Sequence, residues 1–207
     1  MCAIALFYLG DPASGEKVLA PLCDFGRPLL DRVDLRSYTE LQSMFDATVL
    51  PGWHYYWKSV QLGRLDDTVI NTMIEHSSRI RSPWTYSVTY QLGGAVGDVG
   101  EDATAYSHRD AHVININGVW LPGEPFAEEE TAWTRGYFTA LEPHQTGAYV
   151  NFLDHDDQAR VRTAYGDDKY LHLAAMKYRY DRDNVFRLNH DIKPLGGVKS
   201  AASVAAL

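Results

Sequence analysis

Two segments that favour β-strands, WTYSVTYQL (residues 84–92) and AHVININGVW (residues 111–120), are separated only by a loop rich in glycine and aspartate. Neighbouring parallel strands require a long crossover connection, usually a helix, whereas antiparallel strands do not. Helices are predicted in the other parts of the chain. This combination favours an α+β fold, in which an antiparallel or mixed sheet carries helices packed mainly on one of its faces.

The remaining patterns predict the element order β-α-β-α-β-β-α-β-α-α. Residues 2–9 are apolar and predict a buried first strand, GWHYYWKSV predicts a second, and GAYVNFL a short extended segment. SYTELQSMFD predicts a short helix or turn. In GAYVNFLDHDD, Asp154 or Asp156 is the expected cap of the helix that comes next in the chain. The longer helices are predicted from about Ser14 to Cys23, over residues 65–80 and 126–141, and in two segments that Gly166 separates.

Composition limits the classes of protein that this chain can represent. Hydrophobic residues make up 45% of its 207 residues and charged residues 22%, which is sufficient for an ordinary core. The 27 acidic residues outnumber the 19 basic ones and no run of lysine or arginine occurs, so the charge pattern of nucleic-acid binding is absent. The apolar start is too short to span a bilayer and lacks a basic leader, and the two cysteines are too few for a disulfide scaffold. A cytoplasmic protein without membrane or nucleic-acid partners is therefore expected.

The segment HRDAH places His108, Asp110 and His112 two residues apart. In an extended chain these side chains point in the same direction and could bind a metal ion together. A loop that enters a strand and makes ordinary hydrogen bonds explains the pattern equally directly. No fourth ligand stands at a characteristic spacing, so no metal site is predicted.

The segment QLGGAVG is glycine-rich and follows a predicted strand. It could bind phosphate, but it lacks the Lys-Ser/Thr pair of a P-loop and the spacing of a dinucleotide fingerprint. Glycines that allow a turn, or a close approach of the backbone to a ligand, are the favoured interpretation.

Tyr149 and Asn151 stand two residues apart in GAYVNFL, so on a strand they would face the same side. A tyrosine next to an asparagine could hydrogen-bond or deprotonate a substrate. The alternative is that Tyr149 belongs to the core and that Asn151 satisfies a backbone group. The residues alone favour this second interpretation.

The order of motifs along the chain resembles a known family. SYTELQSMFD, YYWKS, LGGAVGDVGEDATAYSHRDAHVININGVW, GAYVNFLDHD and YGDDKYLHLAAMKYRYDRDNVFRLNHDIKP are together similar to the C-terminal half of bacterial FAD-linked oxidases of the berberine-bridge-enzyme-like family. These share the flavin fold of the vanillyl-alcohol oxidase superfamily. The resemblance covers residues 2 to 194, and implies a truncated substrate domain over 1–194 followed by a C-terminal tail at 195–207.

The resemblance also implies roles for individual residues. In this family an N-terminal domain binds FAD, and the substrate domain covers the flavin with a broad antiparallel sheet. Tyr149 and Asn151 match the Tyr-x-Asn motif, whose tyrosine acts as a base while the flavin takes a hydride. The expected flavin-contacting residues are those of the closing motif, namely Asn184, Phe186, Arg187 and Asn189. Gly93 and Gly94 match a Gly-Gly pair of the active-site strand, and His108 and Arg109 match a pair interpreted as structural.

The chain also departs from the family pattern. Sequence for the flavin domain and for the first strands of the sheet is absent from these 207 residues, Gly97 stands at the base position of some plant members, and His190 replaces an amide side chain. A sheet without those strands exposes an edge and an apolar face. A homodimer or a separate flavin-binding chain is therefore the expected partner, and FAD is not expected to bind to this chain alone.

Three functions follow from these expectations. The first is the substrate-binding half of an FAD-linked oxidoreductase that acts on a small aromatic or polyketide-like metabolite. The second is a flavin-independent cyclase or isomerase, in which Tyr149 and His108 donate hydrogen bonds that polarise a carbonyl. The third is an inactive remnant that folds without an activity.

Overall fold

The computed structural model describes residues 2–153 and 158–195, with only the backbone described at residues 158 and 159. The chain divides into two compact units, Met1–Leu50 and Pro51–Leu207. The expected helix cap at Asp154 or Asp156 and residues 196–207 of the expected tail lie outside the described residues.

The first unit contains two helices, α1 (Pro12–Cys23) and α2 (Tyr38–Gln42). Helix α1 begins two residues before the expected Ser14 because the Asp11 carboxylate accepts the Ser14 N–H and Pro12 occupies a favoured first position. Helix α2 begins with a capping box, in which Ser37 and Glu40 bond each other's backbone N–H groups. Both helical predictions are confirmed.

The buried strand predicted over residues 2–9 is wrong. These residues adopt no regular secondary structure, and the side chains of Ile4 and Leu9 are 61% and 88% exposed. A strand requires a neighbour that satisfies its backbone groups. None of the described residues of the first unit forms a strand, so this apolar segment has no pairing partner within its own unit.

The second unit contains the sheet and the longer helices. Its elements in chain order are β1 (His54–Leu62), α3 (Asp67–Ser77), β2 (Tyr86–Gln91), β3 (His112–Trp120), α4 (Ala127–Leu141), β4 (Gln145–Gly147), α5 (Gln158–Tyr165) and α6 (Asp167–Tyr180). The predicted elements of this part of the chain are confirmed, except that the extended segment expected over residues 147–153 is a short strand followed by a turn.

The sheet has the strand order β2-β3-β1-β4, and every neighbouring pair is antiparallel. Strand β3 lies in the interior of the sheet, with Asn117 opposite Trp57 of β1 on one side and Tyr86 of β2 on the other. Strands β2 and β3, which no α-helix separates, are therefore antiparallel as predicted, and the α+β fold is confirmed.

Alternation along the strands gives the sheet one apolar face. Helices α3 and α4 pack on this face, and the buried cluster between them and the sheet consists of Val60, Leu62, Val69, Ile114, Ile116, Tyr137 and Leu141. The approach is close at Gly118, where a Cβ atom would lie 2.8 Å from Thr134 Oγ1. The helices therefore cover one face of the sheet, as the sequence predicts.

The alternate strand residues form what we call the second face of the sheet. It comprises Tyr55, Trp57, Ser59 and Gln61 of β1, Tyr86, Val88 and Tyr90 of β2, and Val113, Asn115, Asn117 and Val119 of β3. None of these eleven residues is charged. Trp57 and Tyr90 are 36% and 45% exposed, whereas Gln61 is fully buried. The second face is thus an aromatic and amide surface with exposed rings.

Helices α5 and α6 surround a separate buried cluster. It is formed by Ala148, Leu153, Val161 and Ala164, with Tyr165, Tyr170 and Ile192 packed against it. Gly166, with a φ of 76°, allows the chain to reverse between the two helices. In the part of the chain that the structure describes, no helix has the length and apolarity needed to cross a bilayer.

Candidate functional site

Tyr149 and Asn151 lie in a turn that follows the short strand β4. Tyr149 is extended, and Val150–Phe152 form one turn of 3-10 helix, closed by hydrogen bonds from Phe152 N to Tyr149 O and from Leu153 N to Val150 O. Because these backbone groups bond locally, the segment does not continue as the expected strand. The turn nevertheless brings the two side chains together, and Asn151 Nδ2 donates to Tyr149 Oη at 2.9 Å.

This hydrogen bond decides what Tyr149 can offer to a ligand. Asn151 donates to the phenol oxygen, so the hydroxyl hydrogen of Tyr149 remains available for an acceptor. The pair can therefore act as a hydrogen-bond donor or as a base.

A cavity of about 210 Å³ opens beside this pair. It is lined by Ala105, Tyr106, Ser107, Ala148, Tyr149, Val150, Asn151, Ala164 and Tyr165. The ring of Tyr106 meets that of Tyr149 edge to face, with centroids 5.8 Å apart and planes at 88°. The cavity thus has aromatic walls, amide and hydroxyl groups, and no charged side chain in its lining.

Ring contacts connect the cavity to the second face of the sheet. The Tyr149 ring lies 4.9 Å from that of Phe152, which lies 6.0 Å from that of Tyr90 on β2. Burial raises the pKa of Tyr90 and, as the largest effect, that of Tyr106. Both phenols therefore stay protonated at neutral pH and act as hydrogen-bond donors.

The wall opposite Tyr149 is fixed by side chains from several elements. Lys169 of α6 donates to the backbone oxygens of Glu101, at 2.6 Å, and of Tyr106, at 3.2 Å. Ser107 Oγ donates to Tyr165 O at the end of α5, and the Arg109 guanidinium lies 5.2 Å from the centre of the Tyr106 ring. The wall is thereby held against both helices.

Glu101 contributes to the same attachment. Burial by itself would raise the pKa of this carboxyl, but hydrogen bonding and the positive charge of Lys169 outweigh it and the pKa is lowered. Glu101 is consequently ionised at neutral pH and pairs with Lys169 at 3.2 Å.

His108, a candidate catalytic residue, lies outside the residues that line the cavity. It adopts a left-handed conformation with a φ of 61°, and its Nε2 atom is 3.4 Å from Thr163 O. Its ring packs directly on Gly147, where a Cβ atom would come within 2.5 Å. Its backbone oxygen accepts a hydrogen bond from Gln61 Nε2 at 2.8 Å. These contacts pack His108 against Gly147 and Thr163 next to the cavity, and its catalytic role stays a prediction.

The other residues of HRDAH do not converge with His108 on a metal position. Within residues 2–153 and 158–195, no group of three His, Cys, Asp or Glu side chains is placed to hold a metal ion. Gly93 and Gly94 have φ values of 136° and 52°, which confirms their interpretation as turn glycines. They lead into a single 3-10 turn, Gly94–Val96, rather than into a helix that could bind phosphate.

The four residues expected to contact flavin lie in what we call the closing segment, residues 181–193. Asp181 Oδ1 and Oδ2 accept the N–H groups of Val185 and Phe186, and Lys177 pairs with the same carboxylate at 2.5 Å. Asn184 and Asn189 are left-handed, and Asn184 Nδ2 donates to Asp191. The segment is therefore internally bonded.

Three apolar side chains of the closing segment, Val185, Phe186 and Leu188, are exposed, whereas Ile192 packs against the cluster of α5 and α6. Phe186 and Leu188 are 80% and 85% exposed, and Arg187 and Asn189 are exposed as well. Phe186 does not fold back into the core of its own unit. Exposed rings that the backbone holds in place are typical of a surface that contacts another molecule.

Sequence reasoning missed Tyr106, Ser107, Tyr165 and Lys169 as parts of the site. The contact between Lys169 and Tyr106 joins residues 63 positions apart, and no local pattern predicts it. The only available signal was the position of Tyr106 and Ser107 directly before His108.

Comparisons with known proteins place the chain in a family. Residues 148–193, which include the Tyr149–Asn151 pair and the closing segment, match the family model described as "Berberine and berberine like". An uncharacterized FAD-linked oxidoreductase of Bacillus subtilis, YgaK, is 30% identical over 91% of this chain and 42% of its own length. Berberine bridge enzyme-like 16 of Arabidopsis thaliana is also 30% identical, over 68% of this chain and 31% of its own length.

Solved structures support the same fold. The 6-hydroxy-D-nicotine oxidase of Arthrobacter nicotinovorans superposes with a TM-score of 0.73 over 90% of this chain and 43% of that enzyme, at 22% identity. The berberine bridge enzyme of Eschscholzia californica gives a TM-score of 0.60 over 70% of this chain and 34% of that enzyme, at 18% identity. At these identities the likeness concerns the fold alone.

The chain spans about two fifths of the length of the Bacillus relative that it matches. The match nevertheless extends through both the sheet and the closing segment. The chain therefore belongs to the berberine-bridge-enzyme-like family of FAD-linked oxidoreductases.

Proposed function

We propose that this chain is the substrate-binding half of an FAD-linked oxidoreductase that acts on a small aromatic or polyketide-like metabolite. The observation that carries the proposal is the Tyr149–Asn151 hydrogen bond at the mouth of an uncharged aromatic cavity. FAD would be carried by sequence beyond these 207 residues or by another chain.

The sheet supports this role through the division of its two faces. Helices α3 and α4 cover one face, while the second face presents Trp57, Tyr86 and Tyr90 beside the amides of Asn115 and Asn117. Aromatic walls with a few polar groups are typical of small-molecule sites. The second face is suited to lie against a planar substrate or cofactor.

The closing segment fits a flavin-bearing partner in one respect. Phe186 and Arg187 are exposed on a backbone that Asp181 holds in place, so they would contact the flavin domain or the flavin itself. The Asn184 amide is already bonded to Asp191, so its role in such a contact would be to shape the turn. When bound, FAD would supply the two-electron acceptor for substrate oxidation.

This chain's residues would bind the substrate and handle its proton. The tyrosines at the cavity would hold a ring, and Tyr149 Oη, after releasing its own hydrogen to solvent, would take a proton from a substrate hydroxyl or amine. Asn151 Nδ2 would stabilise the charge that develops on Tyr149 Oη, because it already donates to that atom at 2.9 Å.

Flavin reduction under anaerobic conditions tests the proposal. A tagged copy of the chain would be isolated from its own cells with any associated flavin, and small aromatic alcohols and phenols would be added. The expected result is bleaching of the flavin, slowed by about 10²-fold or more in Tyr149→Phe because the base is lost. Tyr178→Phe on α6 serves as the matched control.

Two results would oppose the proposal. Bleaching at the wild-type rate in Tyr149→Phe would remove this residue from proton transfer. If the flavin-free chain converts a metabolite, the oxidoreductase proposal would be rejected in favour of a cofactor-independent cyclase or isomerase.

A further inference from the structure

We propose that Tyr106 and Tyr149 together form a recognition corner for one uncharged, planar ring that carries a hydrogen-bond acceptor, with Tyr106 as the residue that determines specificity. This inference deepens the proposed function, on which it rests, because it names the substrate group that enters the Tyr149 cavity.

The geometry of the two rings makes the corner. Their planes stand at 88° with centroids 5.8 Å apart, so a third ring can stack on one while its edge meets the face of the other. Both arrangements are favoured between aromatic rings. A saturated ring lacks the flat faces that this corner matches.

The size of the cavity limits the occupant to a single ring system. Its volume is about 210 Å³, and cavities for drug-sized ligands measure roughly 300–1,000 Å³. The rest of a larger substrate would have to leave the corner. The ring contacts through Phe152 to Tyr90 point to the second face of the sheet as its path.

The chemistry of the lining excludes an ionised group. None of the nine lining residues is charged, and the two cations that contact Tyr106 are engaged: Arg109 lies on its ring and bonds Thr104, and Lys169 bonds the backbone oxygens of Glu101 and Tyr106. Moving an unpaired charge into such a site is costly. The free hydroxyl hydrogen of Tyr149 instead requires an acceptor, such as a carbonyl or phenol oxygen.

Tyr106 is held in place before any ligand arrives. Lys169 bonds its backbone oxygen, Gln61 contacts its phenol, and Arg109 contacts its ring. Gln61 is itself fully buried and bonded to His108 O. A wall fixed from three directions loses little conformational entropy on binding, so it favours a ligand of one shape.

Four small probes separate the predicted properties. Acetophenone has a planar ring and an uncharged acceptor, ethylbenzene lacks the acceptor, benzoate is charged, and cyclohexyl methyl ketone lacks the planar ring. Dissociation constants would be measured with the protein by ligand-observed NMR. Acetophenone should bind about tenfold more tightly than each of the other three, because ethylbenzene lacks the hydrogen bond, cyclohexyl methyl ketone lacks the aromatic contact, and benzoate brings a charge into an uncharged lining.

Substitutions assign the preference to the two rings. Tyr106→Ala should weaken acetophenone binding about tenfold, while Tyr106→Phe, which keeps the ring, should stay within about threefold of wild type. Tyr149→Phe should reduce acetophenone to the affinity of ethylbenzene. Tyr180→Ala, which removes an exposed ring at the end of α6, is the matched control and should change nothing.

Several outcomes would overturn the inference. They are equal binding of benzoate or of the saturated ketone, wild-type affinity in Tyr106→Ala, and no detectable acetophenone binding. If Tyr106→Ala does not fold, Tyr106→Leu, which keeps apolar volume without a ring, carries the same expectation. The probes need no flavin, so this test is independent of the proposed function. If the chain binds the probes selectively but never associates with flavin, the recognition corner is supported and the proposed oxidoreductase is rejected.

Discussion

At the scale of single residues, Gly147 and His108 pack closely against each other next to the cavity. Strand β4 passes so close to the imidazole that a Cβ atom at position 147 would lie 2.5 Å from His108 Cδ2. His108 adopts a left-handed conformation here, with a φ of 61°. Neither residue lines the cavity, but each is directly adjacent in the chain to a residue that does.

We expect Gly147→Ala to lower the free energy of unfolding by about 1–3 kcal/mol, because the added methyl group overpacks against the ring. Urea unfolding with a constant m value measures this change. Adding His108→Asn, which tolerates the left-handed conformation and is smaller, should restore at least half of the loss. A double variant no more stable than Gly147→Ala would show that the ring is not the obstacle.

Glu130 is the second residue with a large expected effect. It is buried on α4, and its Oε1 atom accepts the N–H groups of Arg81 and Ser82, which precede β2. Glu130→Ala leaves these buried donors without a partner and should cost about 1–3 kcal/mol in unfolding free energy. Glu128→Ala on the exposed side of the same helix should cost less than about 0.5 kcal/mol. Similar values for the two variants would contradict this role.

At the scale of elements, local sequence signals indicate where helices begin, but they do not predict contacts between distant parts of the chain. Asp11 and Ser37 cap their helices as their residue types suggest, and both lie within three residues of the N–H groups that they accept. The apolar segment at residues 2–9 was predicted as a strand because its composition fits one. A strand also requires a neighbouring strand, and the composition of the segment itself contains no information about that neighbour.

The candidate site shows the same division. Tyr149 and Asn151 were expected to meet because two residues separate them, and they do meet, although a turn rather than a strand brings them together. Tyr106 and Lys169 meet only because α6 packs back beside the loop that precedes β3. A spacing rule predicts the first contact and has no means of predicting the second.

The closing segment should respond to pH through Asp181. Hydrogen bonds from Lys177 and from the Val185 and Phe186 N–H groups lower its pKa below the usual value of about 3.9. A lowered folded-state pKa stabilises the segment above about pH 3.9, and this contribution is lost as the pH falls through the folded value.

The amide chemical shifts of Val185 and Phe186 should therefore remain constant from pH 7 down to about 4 and change only below that range. Asp181→Asn should remove this acid transition and increase hydrogen exchange at both amides at pH 7. Asp183→Asn in the same segment is the control. An amide titration midpoint above pH 4 would contradict the assigned contacts.

At the scale of the whole molecule, the exposed surfaces call for a partner. Phe186 and Leu188 project from the closing segment, and Trp57 and Tyr90 are exposed on the second face of the sheet. We propose that a second copy of this chain or a flavin-bearing polypeptide covers these groups. Multi-angle light scattering should show a species larger than 23.3 kDa, and a stable monomer at micromolar concentration would reject this proposal.

The absorbance spectrum of the tagged chain, isolated under mild conditions from its own cells, tests the central proposal most directly. We predict flavin bands in the isolated material, carried by a longer form of the chain or by an associated polypeptide, and their loss when Phe186→Asp introduces a charge into the exposed closing segment. A colourless preparation that acquires no flavin absorbance with added FAD, and that contains no flavin-bearing partner, would contradict it.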